Sequence, residues 1–167
     1  GNIMFVHNCL TPVRQSGYDW SQYLPGDNSH LIWQDYLEFD QLPQVLNPPS
    51  GYVHSANQTP FNVTAPADNP RRANYRSEDG FPTRMTNRAH RGLQLLSELG
   101  PISEQDFFAI KHDKQYSKNS RAYAYIQNVL ALELDDQVEL RYRKAQQFLQ
   151  EWDFSTNVDN QHAALGV

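Results

Sequence analysis

A single cysteine, Cys9, occurs in the whole sequence, which excludes an internal disulfide and any cysteine-based zinc site. Lying just after an apolar run, it reads as a half-buried strand residue rather than a nucleophile. No stretch approaches the ~18 consecutive apolar residues of a membrane span, and no signal-peptide pattern opens the chain. Positive charge is in deficit: 14 Lys and Arg against 19 Asp and Glu leave a net charge of −5, with no basic block. That balance argues against nucleic acid as a partner. The six histidines, at 7, 30, 54, 90, 112 and 162, never fall three or four apart, so no helical metal-ligand pair is written in the sequence. Gly-x-Ser-x-Gly is also missing, and Ser50-Gly51 reads as a turn rather than a nucleophile elbow.

Large aromatic side chains are what the sequence has instead: eight Phe, nine Tyr and three Trp among 167 residues. They supply the apolar area that a hydrophobic fraction of only 39% would otherwise leave short. Nine of the ten prolines and five of the eight glycines precede residue 84, and Gly17-Tyr18-Asp19-Trp20 and Pro25-Gly26-Asp27-Asn28 read as turns. Extended runs are expected at 2–8 and 51–55, separated by packed loops. After Thr83 the period becomes helical. Ala89, Leu93, Leu96 and Leu99 share one face, and Gly100-Pro101 ends that helix. Ser103 to Asp106 offers a capping box for a second helix, and Asn119-Ser120 caps a third that runs to Leu134. Val138, Tyr142, Ala145, Leu149 and Trp152 recur at spacings of 4, 3, 4 and 3 along a fourth. The fold class is therefore α+β, with short antiparallel strands and aromatic-rich loops over 1–83 and about four helices over 84–167, together forming one incomplete domain. Both ends of the chain read as cuts from something longer.

The stretch "NPPSGYVHSANQTPFN", residues 47–62, poses the functional question. Amides beside a strand end serve turns, because Asn bonds its own backbone and accepts unusual dihedrals. They also serve as donors to a developing oxyanion. Asn57-Gln58-Thr59 and Asn62-Val63-Thr64 are glycosylation sequons only in a eukaryotic secretory setting. Arg71, Arg72, Arg76, Arg84, Arg88 and Arg91 form a solvated basic segment, or supply one guanidinium turned toward a carboxylate or substrate. Spacing alone leaves these alternatives open.

The run 42–60, with "GYDWSQYLPG" and "WQDYLEFDQLPQVL" before it, resembles the β-subunit of the penicillin acylase family, which includes acyl-homoserine-lactone and aculeacin acylases. The resemblance continues through an Arg leading Leu95-Leu96 to Trp152-Asp153, roughly residues 1–155. It implies an N-terminal-nucleophile hydrolase of αββα architecture that cleaves the linear amide bonds of N-acyl substrates through an acyl-enzyme. Residue by residue, it implies an oxyanion-hole amide at Asn57 and a supporting arginine at Arg88, with Arg84 the alternative. A calcium site would use Asp68 and the Trp20 carbonyl. The expected partners are an α-subunit and the remainder of the β-subunit, the expected compartment periplasmic or secreted. Gly1 stands where no nucleophilic Ser does, so the chain is expected to be an inactive piece, with exposed strand edges open to self-association. The competing expectations are a non-catalytic binding module and a relative that has lost catalysis.

Overall fold

The computed structural model describes residues 1–135 and 140–166, and the chain divides between Met85 and Thr86 into two compact units. The architecture is α+β, as the sequence implies: a small antiparallel sheet followed by helices. In the first unit β1 (Met4–Val6) pairs with β2 (Gln44–Leu46), with Met4 opposite Leu46, Phe5 opposite Val45 and Val6 opposite Gln44. The period of two places Val45 in the core while Met4 and Leu46 face outward. The pairing is extended by Asn47 N–H to the Ile3 carbonyl and His7 N–H to the Pro43 carbonyl, each 2.9 Å. A further antiparallel bridge joins Pro12 to Tyr36.

Little else in this unit is regular, apart from single 3-10 turns such as Pro66–Asp68 and Ser77–Asp79. Cohesion comes from rings and from side chains bonded to backbone. Phe61, Tyr75 and Phe81 form a mutual cluster with centroids 5.4–6.4 Å apart, and His7 meets Phe81 edge-on at 5.5 Å. Burial there lowers the His7 pKa and raises that of Tyr75. Val63 and Pro60 are fully enclosed.

Two local expectations are corrected. Residues 51–55 form no ladder: His54 N–H reaches the Val63 carbonyl at 2.7 Å, but the run stays an extended loop. A side chain reaches it instead, the Thr64 hydroxyl donating to the Tyr52 carbonyl at 2.8 Å. Cys9 is exposed and lies beyond β1, with its Sγ 2.9 Å from the Thr11 hydroxyl.

The second unit is helical: α1 (Asn87–Glu98), α2 (Glu104–Lys111), α3 (Arg121–Leu130), α4 (Leu140–Gln150) and the single turn α5 (Ala163–Gly166). Each of the first three starts on a hydroxyl cap. Thr86, Ser103 and Ser120 accept from the N–H of Ala89, Asp106 and Tyr123, and Asp106 completes the box at Ser103. The third helix stops at Leu130, short of Leu134. Its open carbonyl end is met by Gln146 of α4, whose amide reaches the carbonyls of Val129, Leu130 and Leu132 at 3.0, 3.3 and 2.9 Å. Of the stripe expected on the fourth helix, Val138 lies outside the described residues. Tyr142 is exposed beside Arg141, while Leu149 and Trp152 are buried. With Ile126 they make the core, flanked by Tyr116, Leu130, Phe154 and Ala163.

Arg91 on α1 grips Asp113 through two bonds of 2.9 Å and also donates to Gln115 at 3.1 Å. Hydrogen bonding from Arg91 holds the Asp113 carboxyl below its ordinary range, and Asp113 raises Arg91 in turn. A carboxyl that takes its proton later in the folded state stabilises the fold above the unfolded value of about 4. That stabilisation is lost as pH falls through the lower folded value. Asp113→Asn should cost about 1 kcal/mol near neutrality, since the pair is only partly shielded from water. Urea titrations at neutral pH and near pH 2 check this. The gap between variant and parent should close in acid, and an undiminished gap would assign the loss to packing.

Candidate functional site

Asn57 lies at φ 56°, in the left-handed region that Asn tolerates better than most residues. The chain on either side of it is pinned. Gln58 folds its side chain back across the turn: its Oε1 accepts the Ala56 N–H at 3.0 Å, and its Nε2 donates to the Asn62 carbonyl. The Thr59 N–H donates to the Arg84 carbonyl at 2.9 Å. Thr59 is 2% exposed and Gln58 8%, whereas Asn57 itself is exposed. Asn57 is thus an exposed residue on a turn whose following residues, Gln58 and Thr59, are buried and hydrogen-bonded.

A second layer supports that floor. Asn69 Oδ1 accepts from the N–H groups of Val63 and Thr64 at 2.7 and 3.1 Å, and its amide nitrogen donates to the carbonyls of Thr64 and Ala65. The Thr64 hydroxyl donates to the Tyr52 carbonyl at 2.8 Å and accepts from the Ser50 hydroxyl at 2.6 Å. These bonds answer why a stretch so rich in Asn, Ser and Thr forms no strand. Its side chains satisfy the backbone groups that a sheet would otherwise pair.

Asp68 closes the 3-10 turn below this network, its Oδ2 accepting the Ser50 N–H at 2.9 Å. Burial first, and the Asp68 charge second, push up the pKa of the nearby Tyr52 hydroxyl. Asp68 lines a cavity of about 410 Å³ with Gln44, Asn69, Arg71 and Tyr75. Trp20 lines a different one of about 540 Å³ with Arg14, Asp19 and Glu78. There the Arg14 guanidinium lies 5.7 Å from the ring centroids of both Trp20 and Trp33. Among the described residues no three His, Cys, Asp or Glu side chains gather as metal ligands. One carboxylate and one carbonyl lining separate cavities do not by themselves supply the roughly six to eight oxygens that calcium takes.

The arginines separate by role. Arg72 covers the Phe61 ring at 5.6 Å and donates to the Tyr75 carbonyl, and Arg76 donates to the Arg14 carbonyl at 2.7 Å. Arg91 is committed to Asp113. Arg88 is exposed on the first turn of α1, in the second unit, while Asn57 lies in the first. Arg84, the alternative, is exposed and belongs to the same unit as Asn57, its carbonyl bonded to the turn. That contact was missed by sequence reasoning. The only trace of it in the sequence is that Arg84 precedes the Thr86 cap and so stands in extended chain able to pair with another loop.

An α+β chain with an exposed Asn on a left-handed turn of its first unit is thus the setting in which the comparisons fall. It belongs to the penicillin amidase family, whose family model matches residues 1–166. It is also similar to the penicillin G acylase of Escherichia coli, with 42% identity over 60 residues, taking in 36% of this chain and 7% of the acylase. The match thus spans a small part of that relative. Among the described residues no helix is long and apolar enough to cross a membrane.

Proposed function

We propose that this chain is the oxyanion-donor segment of an enzyme that hydrolyses the amide bond of N-acyl substrates through an acyl-enzyme. The observation that carries the reading is the Asn57 amide, raised on a pinned, left-handed turn within the family-matched stretch. In such a reaction a nucleophilic hydroxyl adds to the amide carbonyl, the amine leaves with a proton, and water then hydrolyses the ester. Charge grows on the former carbonyl oxygen at each addition, and a fixed amide N–H lowers both barriers. Asn57 fills that role. An arginine supports the site electrostatically, and Arg84 fits it better than Arg88 because its backbone is bonded to the Asn57 turn.

The attacking hydroxyl comes from sequence outside these residues, as the resemblance implies, together with the walls of the acyl pocket. An α-subunit and the remainder of a β-subunit would supply them, in a periplasmic or secreted enzyme. The 167 residues alone should therefore release no amine from a chromogenic phenylacetyl or long-chain acyl amide, whereas the complete processed enzyme should turn it over. Turnover by the isolated chain that survives repurification would overturn this reading. Calcium, if used, takes Asp68 as one ligand of a set completed elsewhere. Calorimetry on the isolated chain should show no tight binding, and micromolar affinity would contradict that.

A further inference from the structure

Gln58 does more than fill space beneath the turn. Its two side-chain bonds begin one residue before Asn57 and end five residues after it, at Ala56 and Asn62. The Thr64 hydroxyl also bridges across residue 57, to the Tyr52 carbonyl, but over a longer stretch of chain. Asn57 is at positive φ, a state that an unrestrained Asn leaves readily for the ordinary backbone regions. If residue 57 relaxed, its side chain would swing away from its present direction. A donor that must meet an oxyanion within a few tenths of an ångström needs such a restraint.

We infer that Gln58 is a positioning residue for the Asn57 donor: its buried side-chain amide staples Ala56 to Asn62 and so holds residue 57 left-handed. This inference rests on the proposed oxyanion role of Asn57 and adds the element that aims it. Both ends of the Gln58 amide are needed, since the oxygen accepts at Ala56 and the nitrogen donates at Asn62. Glutamate at this position reproduces both bonds only when protonated, with its carbonyl oxygen accepting and its hydroxyl donating.

The test is a cycle of Asn57→Gly, Gln58→Ala and the double variant in the complete processed enzyme, with Gln58→Glu alongside. Kinetics are expressed per folded active site. Gln58→Ala should lower kcat about tenfold or more, the scale for loosening a catalytic group, with KM within about threefold. In the Asn57→Gly background, which already lacks the donor, the same change should cost less than about twofold. Gln58→Glu should recover kcat per folded active site relative to the parent as pH falls and its carboxyl protonates, with the folded fraction measured at each pH. Equal losses from Gln58→Ala in both backgrounds would overturn the inference, as would a Gln58→Ala enzyme with parental kcat. If Asn57→Gly alone kept parental kcat, the oxyanion role would fall, and the positioning role with it. Loss in Asn57→Gly without loss in Gln58→Ala would sink this inference only.

Discussion

Replacing Asn57 by glycine in the complete processed enzyme should cut kcat by roughly 10²–10³, the range for losing one oxyanion donor, while KM changes little. Glycine is the informative choice because residue 57 sits at φ 56°. Alanine there removes the amide but also carries a left-handed penalty of roughly 1–2 kcal/mol, so Asn57→Ala mixes lost chemistry with lost stability. Glycine adopts that region without strain. Both variants should share the kcat loss, and only the alanine enzyme should unfold earlier. A turn-forming Asn predicts the opposite pattern, with Asn57→Gly nearly unchanged and Asn57→Ala destabilised but active per folded molecule. The resemblance to N-terminal-nucleophile hydrolases implies a precursor that cleaves itself, so cleavage of each variant is shown first, because its failure would imitate a catalytic loss. A processed Asn57→Gly enzyme with kcat within threefold of the parent would return the residue to turn chemistry.

Trp152→Ala should be the most damaging single change in the second unit, at about 3–5 kcal/mol for a large buried ring. The indole is 3% exposed against Ile126 and Leu149, with Phe154 at 4.7 Å and Tyr116 at 5.7 Å. Its Nε1 donates to the Ser155 carbonyl at 2.8 Å, so alanine also strands an acceptor. The chain packs on it closely enough that a Cβ on Gly166 would come within 2.3 Å of the ring. Against a typical total of about 5–15 kcal/mol, such a loss removes much of the stability. Trp152→Phe, keeping most of the area but not the N–H, should cost clearly less. Urea midpoints followed by near-UV circular dichroism give both values. A Trp152→Ala loss under 1 kcal/mol would mean that the core lies elsewhere.

Helical pattern and caps were legible because both are local. Ser103 and Ser120 stand three residues from the N–H groups they accept from. The end of α3 was not legible, since Gln146, sixteen residues past Leu130, terminates it. Residues 51–55 looked like a strand because Tyr and Val favour one. What bonds to them is the Thr64 hydroxyl at Tyr52 and the Val63 carbonyl at His54, contacts that propensity does not report. The role proposed for Asn57 came from resemblance, whereas its backbone state and the Gln58 staple required coordinates. The bond between the Thr59 N–H and the Arg84 carbonyl, which joins two distant loops, was not legible either.

The role of Asn57 is tested most directly by a crystal structure of the complete processed enzyme bearing a tetrahedral acyl-type adduct, such as a boronate, on its nucleophile. The account predicts Asn57 Nδ2 about 2.7–3.1 Å from the adduct oxygen that stands for the oxyanion, with Gln58 still bridging Ala56 and Asn62. An adduct oxygen served by other donors, with the Asn57 amide turned back into its own loop, would contradict it.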